Sequence, residues 1–122
     1  HKDLPQVKES KKELESCDYR PFQALCAHFK EKEIWGMTAH ILYEDLDKEL
    51  PASLSPDIIN TVIRTAIGFK GFLLSDDIEM GALNRYGDLS RRSEMALQAG
   101  CDAVLYCGGS YKEMEKLASK LA

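Results

Sequence analysis

Three apolar runs, residues 34–39, 72–75 and 103–107, stand apart in the chain, each flanked by stretches of helical periodicity. None of the three alternates strictly between apolar and polar positions. A strand with one wet face alternates, whereas a strand covered on both faces, as in a parallel sheet under helices, does not. The runs therefore read as buried strands. A chain that alternates helix with buried strand folds as parallel βαβ units.

The helical stretches carry their own punctuation. Ser10-Lys11-Lys12-Glu13 is a capping box. The helix it opens reads through Leu14 to Phe29, and Pro21 is expected to interrupt it, because proline lacks the N–H that continues the ladder. A polar, acid-rich loop covers residues 43–49. Ser55-Pro56 is an N-cap with proline at the first helical position; Ile58, Ile59, Val62, Ile63, Ala66 and Ile67 then form one apolar stripe, stopped by Gly68. A third helix turns Leu89, Ala96 and Leu97 inward and ends at Gly100. A second capping box, Ser110-Tyr111-Lys112-Glu113, opens a last helix with Met114, Leu117, Ala118 and Leu121 inward. Trp35 and Tyr106, lying within strands, are expected in the core.

This order fits either a doubly wound sheet or a barrel. No GxGxxG follows a strand, which counts against dinucleotide binding. A barrel needs eight strands and typically about 250 residues. With 122 residues and three strands the chain supplies part of one and cannot close alone.

Composition narrows the function classes. Hydrophobic residues make up 44% and charged residues 30%, the balance of an ordinary globular protein. The net charge is −4 with both signs interspersed, so no basic stripe recommends nucleic acid as a partner. No apolar run approaches the roughly 20 residues of a membrane helix, and no signal-peptide pattern opens the chain. Cys17, Cys26, Cys101 and Cys107 form no CxxC pair and have no histidine at zinc-ligand spacing. They read as free thiols, buried or semi-exposed, in a reducing, cytoplasmic setting.

In parallel α/β folds the reacting groups sit at the carboxyl ends of strands. The middle end here holds Asp76, Asp77 and Glu79 within four positions. Three readings stay open on residue type alone: turn-capping carboxylates, an acidic catalytic site, or hard oxygen ligands for a divalent cation. His40 follows the first strand, either as a hydrogen-bonded histidine under a pocket or as a ligand contact, while Met37 and Thr38 alternate between barrel and wall. His28 reads as surface. Asn84 and Tyr86 are placed to rim the site, and Gly108-Gly109 before the last helix could cradle a phosphate.

The stretch Val62-Ile63-Arg64-Thr65-Ala66-Ile67-Gly68-Phe69-Lys70-Gly71-Phe72-Leu73-Leu74-Ser75-Asp76-Asp77 resembles the signature of family 3 glycoside hydrolases: two aliphatics, a basic residue, a spacer, Gly, three apolar residues and Ser/Thr-Asp. Ala66 departs from it, standing where glutamate is common. Asp18-Tyr19-Arg20-Pro21-Phe22, Met37-Thr38-Ala39-His40-Ile41, Pro51-Ala52-Ser53-Leu54-Ser55-Pro56 and Ala99-Gly100-Cys101-Asp102 are similar to the β-N-acetylhexosaminidase branch.

The resemblance implies an α/β fold, the C-terminal portion of a TIM-like (β/α)8 barrel, with residues 1–122 a single partial domain whose N-terminal strands are missing. It implies retaining hydrolysis, in which Asp76 is the nucleophile and forms a glycosyl-aspartate intermediate. His1, in His1-Lys2-Asp3-Leu4-Pro5, resembles the histidine of an Asp-x-His dyad and is the candidate acid/base; its Asp partner would precede residue 1. His40, Met37 and Asp77 are the candidate substrate-binding residues, with Asp77 and Glu79 also eligible for structural roles. The implied substrate is a terminal β-linked N-acetylglucosamine on muropeptide-type sugars, as in cell-wall peptidoglycan recycling, with no cofactor, metal, nucleic acid or membrane. Two alternatives accompany it. One is a non-catalytic half-barrel that associates with itself or with a partner chain completing the barrel. The other is a related phosphorylase, in which phosphate replaces water.

Overall fold

The computed structural model describes residues 3–121. In chain order they form β1 (Gln6–Val7), α1 (Lys11–Ser16), α2 (Tyr19–His28), β2 (Trp35–Met37), β3 (Leu42–Tyr43), a wide helix (Ile58–Ala66), β4 (Phe72–Asp77), a 3-10 helix (Gly81–Tyr86), α3 (Leu89–Ala99), β5 (Ala103–Leu105) and α4 (Tyr111–Leu121).

The three expected strands make one parallel sheet in the order β2-β4-β5. Trp35 stands opposite Phe72 and Met37 opposite Leu74, while Leu74 pairs with Ala103 and Asp77 with Leu105. The β4–β5 register shifts between those last two pairs. There the buried Ser75 hydroxyl takes the Leu105 N–H at 3.0 Å and donates to the Asp76 carbonyl at 2.8 Å, so the irregular step does not orphan the Leu105 amide. A second parallel pair, β1 with β3, spans two residues on each side and is too short to leave a periodicity in the sequence.

Several expectations need correction. The outer strands are shorter than their apolar runs, and the sheet is covered on one face only. Gly36, Leu73 and Ser75 turn toward the helices. Trp35 is 70% exposed and Met37 59%, both on the open face, and the Trp35 ring meets Phe72 at a centroid distance of 5.0 Å. Trp35 is therefore not a core residue. In α4 only Leu117 is buried, and Met114 lies exposed. The break between α1 and α2 falls at Cys17–Asp18 rather than at Pro21. Pro21 sits in the first turn of α2, where no N–H is required of it.

The Ser10 capping box is formed in full. Ser55 caps the next helix as expected, its hydroxyl taking the Ile58 N–H at 3.1 Å. That helix is wound wider than an α-helix: the Ile67 N–H reaches the Val62 carbonyl, five residues back, at 2.8 Å. Its apolar pairs, 58/59, 62/63 and 66/67, recur every four residues, longer than the 3.6 of an α turn. A widened turn keeps them in line.

Ile59, Leu73, Leu83 and Ala96 lie at the heart of the main core, between the sheet and its helices. Leu14, Tyr19, Ile58 and Val62 form a second cluster against α1 and α2. Gly100 ends α3 at φ 115°, where a side chain would be strained, and a Cβ there would come within 3.0 Å of Ile59. At the amino end of the sheet Arg64 donates to the carbonyls of Phe69 (3.2 Å) and Gly71 (2.8 Å) and to Asp102 Oδ2 (2.9 Å). The same Asp102 oxygen accepts the Leu73 N–H at 2.8 Å, so one ion pair locks the helix, β4 and the entry to β5.

Two outcomes follow. Ile59 is fully buried, so Ile59→Ala should lower stability by about 2–5 kcal/mol, read as a reduced urea midpoint at unchanged slope. Asp47 accepts the N–H groups of Glu49 and Leu50 and the Ser55 hydroxyl. Burial pushes its carboxyl up, but these hydrogen bonds outweigh burial and hold it below the usual aspartate range. A lowered folded-state pKa adds stability above the unfolded value, lost as pH falls through the folded one. Asp47→Ala should therefore destabilise clearly at pH 7, and the gap to the parent chain should close below about pH 4 in denaturation curves.

Candidate active site

Alternation along β4 puts Phe72, Leu74 and Asp76 on the open face and Leu73 and Ser75 on the helix face. Asp76 thus stands at the carboxyl end of the central strand, half-buried, on the same face as Met37 of β2. Thr38, the next residue, is buried and bonds back to the Leu74 carbonyl, so Met37 and Thr38 alternate as expected. The Asp76 Oδ1 accepts the Asp77 N–H at 2.8 Å. Two clefts lie at the opposite, amino end of the sheet, around Glu31, Lys32, Lys70 and Gly71, and Asp76 lines neither.

Asp77 is tied down at three points. Its N–H serves Asp76 and its Oδ1 accepts the N–H groups of Glu79 and Cys107, each at 3.1 Å. Its carbonyl accepts from Met80 N–H at 3.1 Å and from His40 Nε2 at 2.8 Å. The side chain therefore pins the end of β4 to the segment after β5. This is the structural role foreseen for Asp77.

His40 takes the hydrogen-bonded alternative of the two expected for it. It is 3% exposed, and both ring nitrogens are engaged, Nδ1 with the Ser53 hydroxyl at 2.6 Å and Nε2 with the Asp77 carbonyl. A carbonyl only accepts, so Nε2 carries a proton; with a single proton on the ring, Nδ1 accepts from the Ser53 hydroxyl. No polar atom of the ring remains for a sugar. His1, the candidate acid/base, lies outside the described residues.

Asn84 and Tyr86, expected at the rim, brace the loop instead. Tyr86 Oη donates to the Glu49 carbonyl at 2.8 Å, and Asn84 Oδ1 accepts from Arg92 at 2.9 Å. Arg92 is the residue that sequence reasoning missed. Its buried guanidinium also donates to the carbonyls of Gly87 (2.7 Å) and Ile78 (3.1 Å), holding the whole connection after Asp77. One signal was available: Arg92 stands three residues after Leu89 and four before Ala96, on the apolar stripe of α3.

The carboxyl end of the sheet is electronegative. Partial desolvation by its neighbours, then the charges of Asp77, Asp76 and Glu79, push the Cys107 thiol up. The Tyr106 hydroxyl is pushed up to about 12, chiefly by its hydrogen bond to Glu113. Glu79 and Tyr106 also crowd Gly108, which disfavours the phosphate cradle considered for Gly108-Gly109. Among the described residues no three His, Cys, Asp or Glu side chains converge as a metal group. No helix is long and apolar enough to cross a membrane. The four cysteines are free; Cys17 and Cys107 are exposed and Cys101 is buried. A carboxylate with one oxygen steadied by a backbone N–H, on an open sheet face, is equipped to act as a nucleophile or a base.

Comparison with known proteins gives this geometry a context. Residues 1–122 match the description "Glycosyl hydrolase family 3 N terminal domain". The β-hexosaminidase of Alkalilimnicola ehrlichii is 38% identical over 107 residues, covering 88% of this chain and 30% of that protein. The β-N-acetylglucosaminidase from Thermotoga maritima superposes at TM-score 0.83 with 34% identity, over 97% of this chain and 25% of that one. NagZ from Neisseria gonorrhoeae, solved in complex with N-trifluoroacetyl-D-glucosamine, gives 0.77 and 32%, over 99% and 32%. The chain thus spans about 30% of the length of the curated relatives it matches. The α/β architecture of part of a TIM-like barrel is as expected. The unit matched is the family's N-terminal domain, which replaces the expected label of a C-terminal portion. With its signature strand, its parallel sheet and these relatives in agreement, the chain belongs to glycosyl hydrolase family 3.

Proposed function

We propose that the protein carrying this chain is a retaining β-N-acetylglucosaminidase that releases terminal β-linked N-acetylglucosamine from muropeptide-type sugars, with Asp76 as its nucleophile. One observation carries the reading. Asp76 is the penultimate residue of the central strand, on the uncovered face, one oxygen steadied by the Asp77 amide, within the signature the sequence shares with the family. The relatives named β-hexosaminidase and β-N-acetylglucosaminidase support the substrate class.

In this reading the Asp76 carboxylate attacks the anomeric carbon and displaces the aglycone, whose oxygen receives a proton from the general acid. Water, deprotonated by the same group, then releases the sugar with net retention. His1 is the residue proposed for that acid/base role, on the family resemblance alone. Met37, exposed on the same face as Asp76, is proposed to contact the sugar. The open face bearing Trp35, Met37 and Phe72 is where further strands of the barrel would pack, so activity belongs to the assembled domain. A cytoplasmic setting fits four free thiols.

The test uses the full gene product and a slow fluorosugar substrate. Intact-mass and peptide analysis should find the sugar on Asp76, and Asp76→Ala should lose at least about 1000-fold in kcat while unfolding at an unchanged urea midpoint. A label on another residue refutes the assignment.

A further inference from the structure

The group that steadies the candidate nucleophile is itself held from behind. Asp77 donates its N–H to Asp76 Oδ1 at 2.8 Å, and its carbonyl is held by Met80 N–H and by the His40 ring. His40 is in turn held by the hydroxyl of Ser53, a fully buried residue of the segment between β3 and the wide helix. That segment is fixed at both ends: Ala52 N–H bonds to the Ile41 carbonyl, and Ser55 donates to Asp47. A relay of buried partners thus runs from the loop before the wide helix to the carboxylate at the strand end. Its middle member is a buried imidazole with both ring nitrogens engaged.

We infer that His40 is a positioning residue: as an Nε2–H donor backed by Ser53, it holds the Asp77 carbonyl and, through the backbone of Asp77, the N–H that aims the Asp76 carboxylate. The inference rests on the reading of Asp76 as nucleophile for its catalytic consequence, and on the hydrogen-bond geometry alone for the positioning. A side-chain carboxylate on an open face rotates unless something holds it, and here the holder is the N–H of the Asp76–Asp77 peptide, one Cα away from the Asp77–Ile78 peptide whose carbonyl His40 holds. The Ile78 N–H of the same peptide bonds to the Leu105 carbonyl of β5 at 3.0 Å, and Met80 restrains the Asp77 carbonyl from within the local turn. His40 ties it to a different part of the fold, across thirty-seven residues of chain. The imidazole does this without proton transfer, so a group with the same donor and acceptor spacing should replace it. A glutamine amide offers such a pair: its NH₂ can donate to Asp77 and its oxygen can accept from Ser53.

The test compares His40→Ala, His40→Gln and Ser53→Ala in the full gene product on a chromogenic N-acetyl-β-glucosaminide. His40→Ala should lower kcat about 10- to 100-fold with KM changed less than about threefold, since only the aim of the carboxylate is lost. His40→Gln should restore most of that loss. Ser53→Ala keeps the core volume and should show a smaller loss in kcat alone, which keeps the question open to experiment if His40→Ala does not fold. Unchanged kcat in both truncations overturns the inference. So does a glutamine variant as slow as the alanine one, or a rise in KM alone, which would make His40 a ligand contact.

If the parent protein turns over no N-acetylglucosaminide, the glycosidase reading fails and the positioning is still read directly. Nitrogen-15 NMR of the ring should show a protonated Nε2 and an unprotonated Nδ1. Amide exchange at Asp77 should accelerate in His40→Ala and Ser53→Ala and recover in His40→Gln. A proton on Nδ1 alone, or unaltered exchange at Asp77, overturns the positioning itself.

Discussion

The structure depends on β4 having a neighbour on each side. It is the only strand of the sheet so placed, and its six residues divide by alternation into two sets with different tasks. Leu73 and Ser75 face the helices, the first inside the main core and the second completing the ladder where the register slips. Phe72, Leu74 and Asp76 face the open side. Because the backbone is fixed on both edges, the carboxylate at its end inherits a position that a loop residue would not have. The Arg64–Asp102 pair acts at the start of the strand and the Asp77 caps at its finish, so both ends are clamped to other segments.

The loop beyond the strand is held by different means. Arg92 is a buried cation whose partners are two carbonyls and one amide oxygen. Among the described residues it has no carboxylate partner. Neutral acceptors in a fork suit a planar guanidinium and spare the nearby strand end any further negative charge. This matters where Asp76, Asp77 and Glu79 already crowd together and add to desolvation in raising the thiol of Cys107.

Much of this was legible in the sequence because it rests on local pattern. The three strands, the Ser10 box, the Ser55 cap and the Gly100 stop are each written in a few adjacent residues. What escaped depends on distant partners. β1 and β3 are two residues long and exist only through each other. The wide turn of the helix shows in the four-residue repeat of its apolar pairs, but that repeat also passes for an ordinary amphipathic helix. The exposure of Trp35 could not be read at all, since an apolar run does not say whether both of its faces are covered. At the site, the position of Asp76 followed from strand-end logic and the family signature. The burial of His40 behind it did not, because Ser53 lies thirteen residues away and only the fold brings the two together.

Trp35 is the sole tryptophan of the chain, and it sits on the uncovered side of the sheet against Phe72. An indole in that situation is a built-in optical gauge. Its emission reports the wetness of one surface and nothing else in the molecule, with no competing fluorophore of its kind. Any packing of further polypeptide onto that surface would be visible as a shift to shorter wavelength, without a label and without disturbing the catalytic end of the strand.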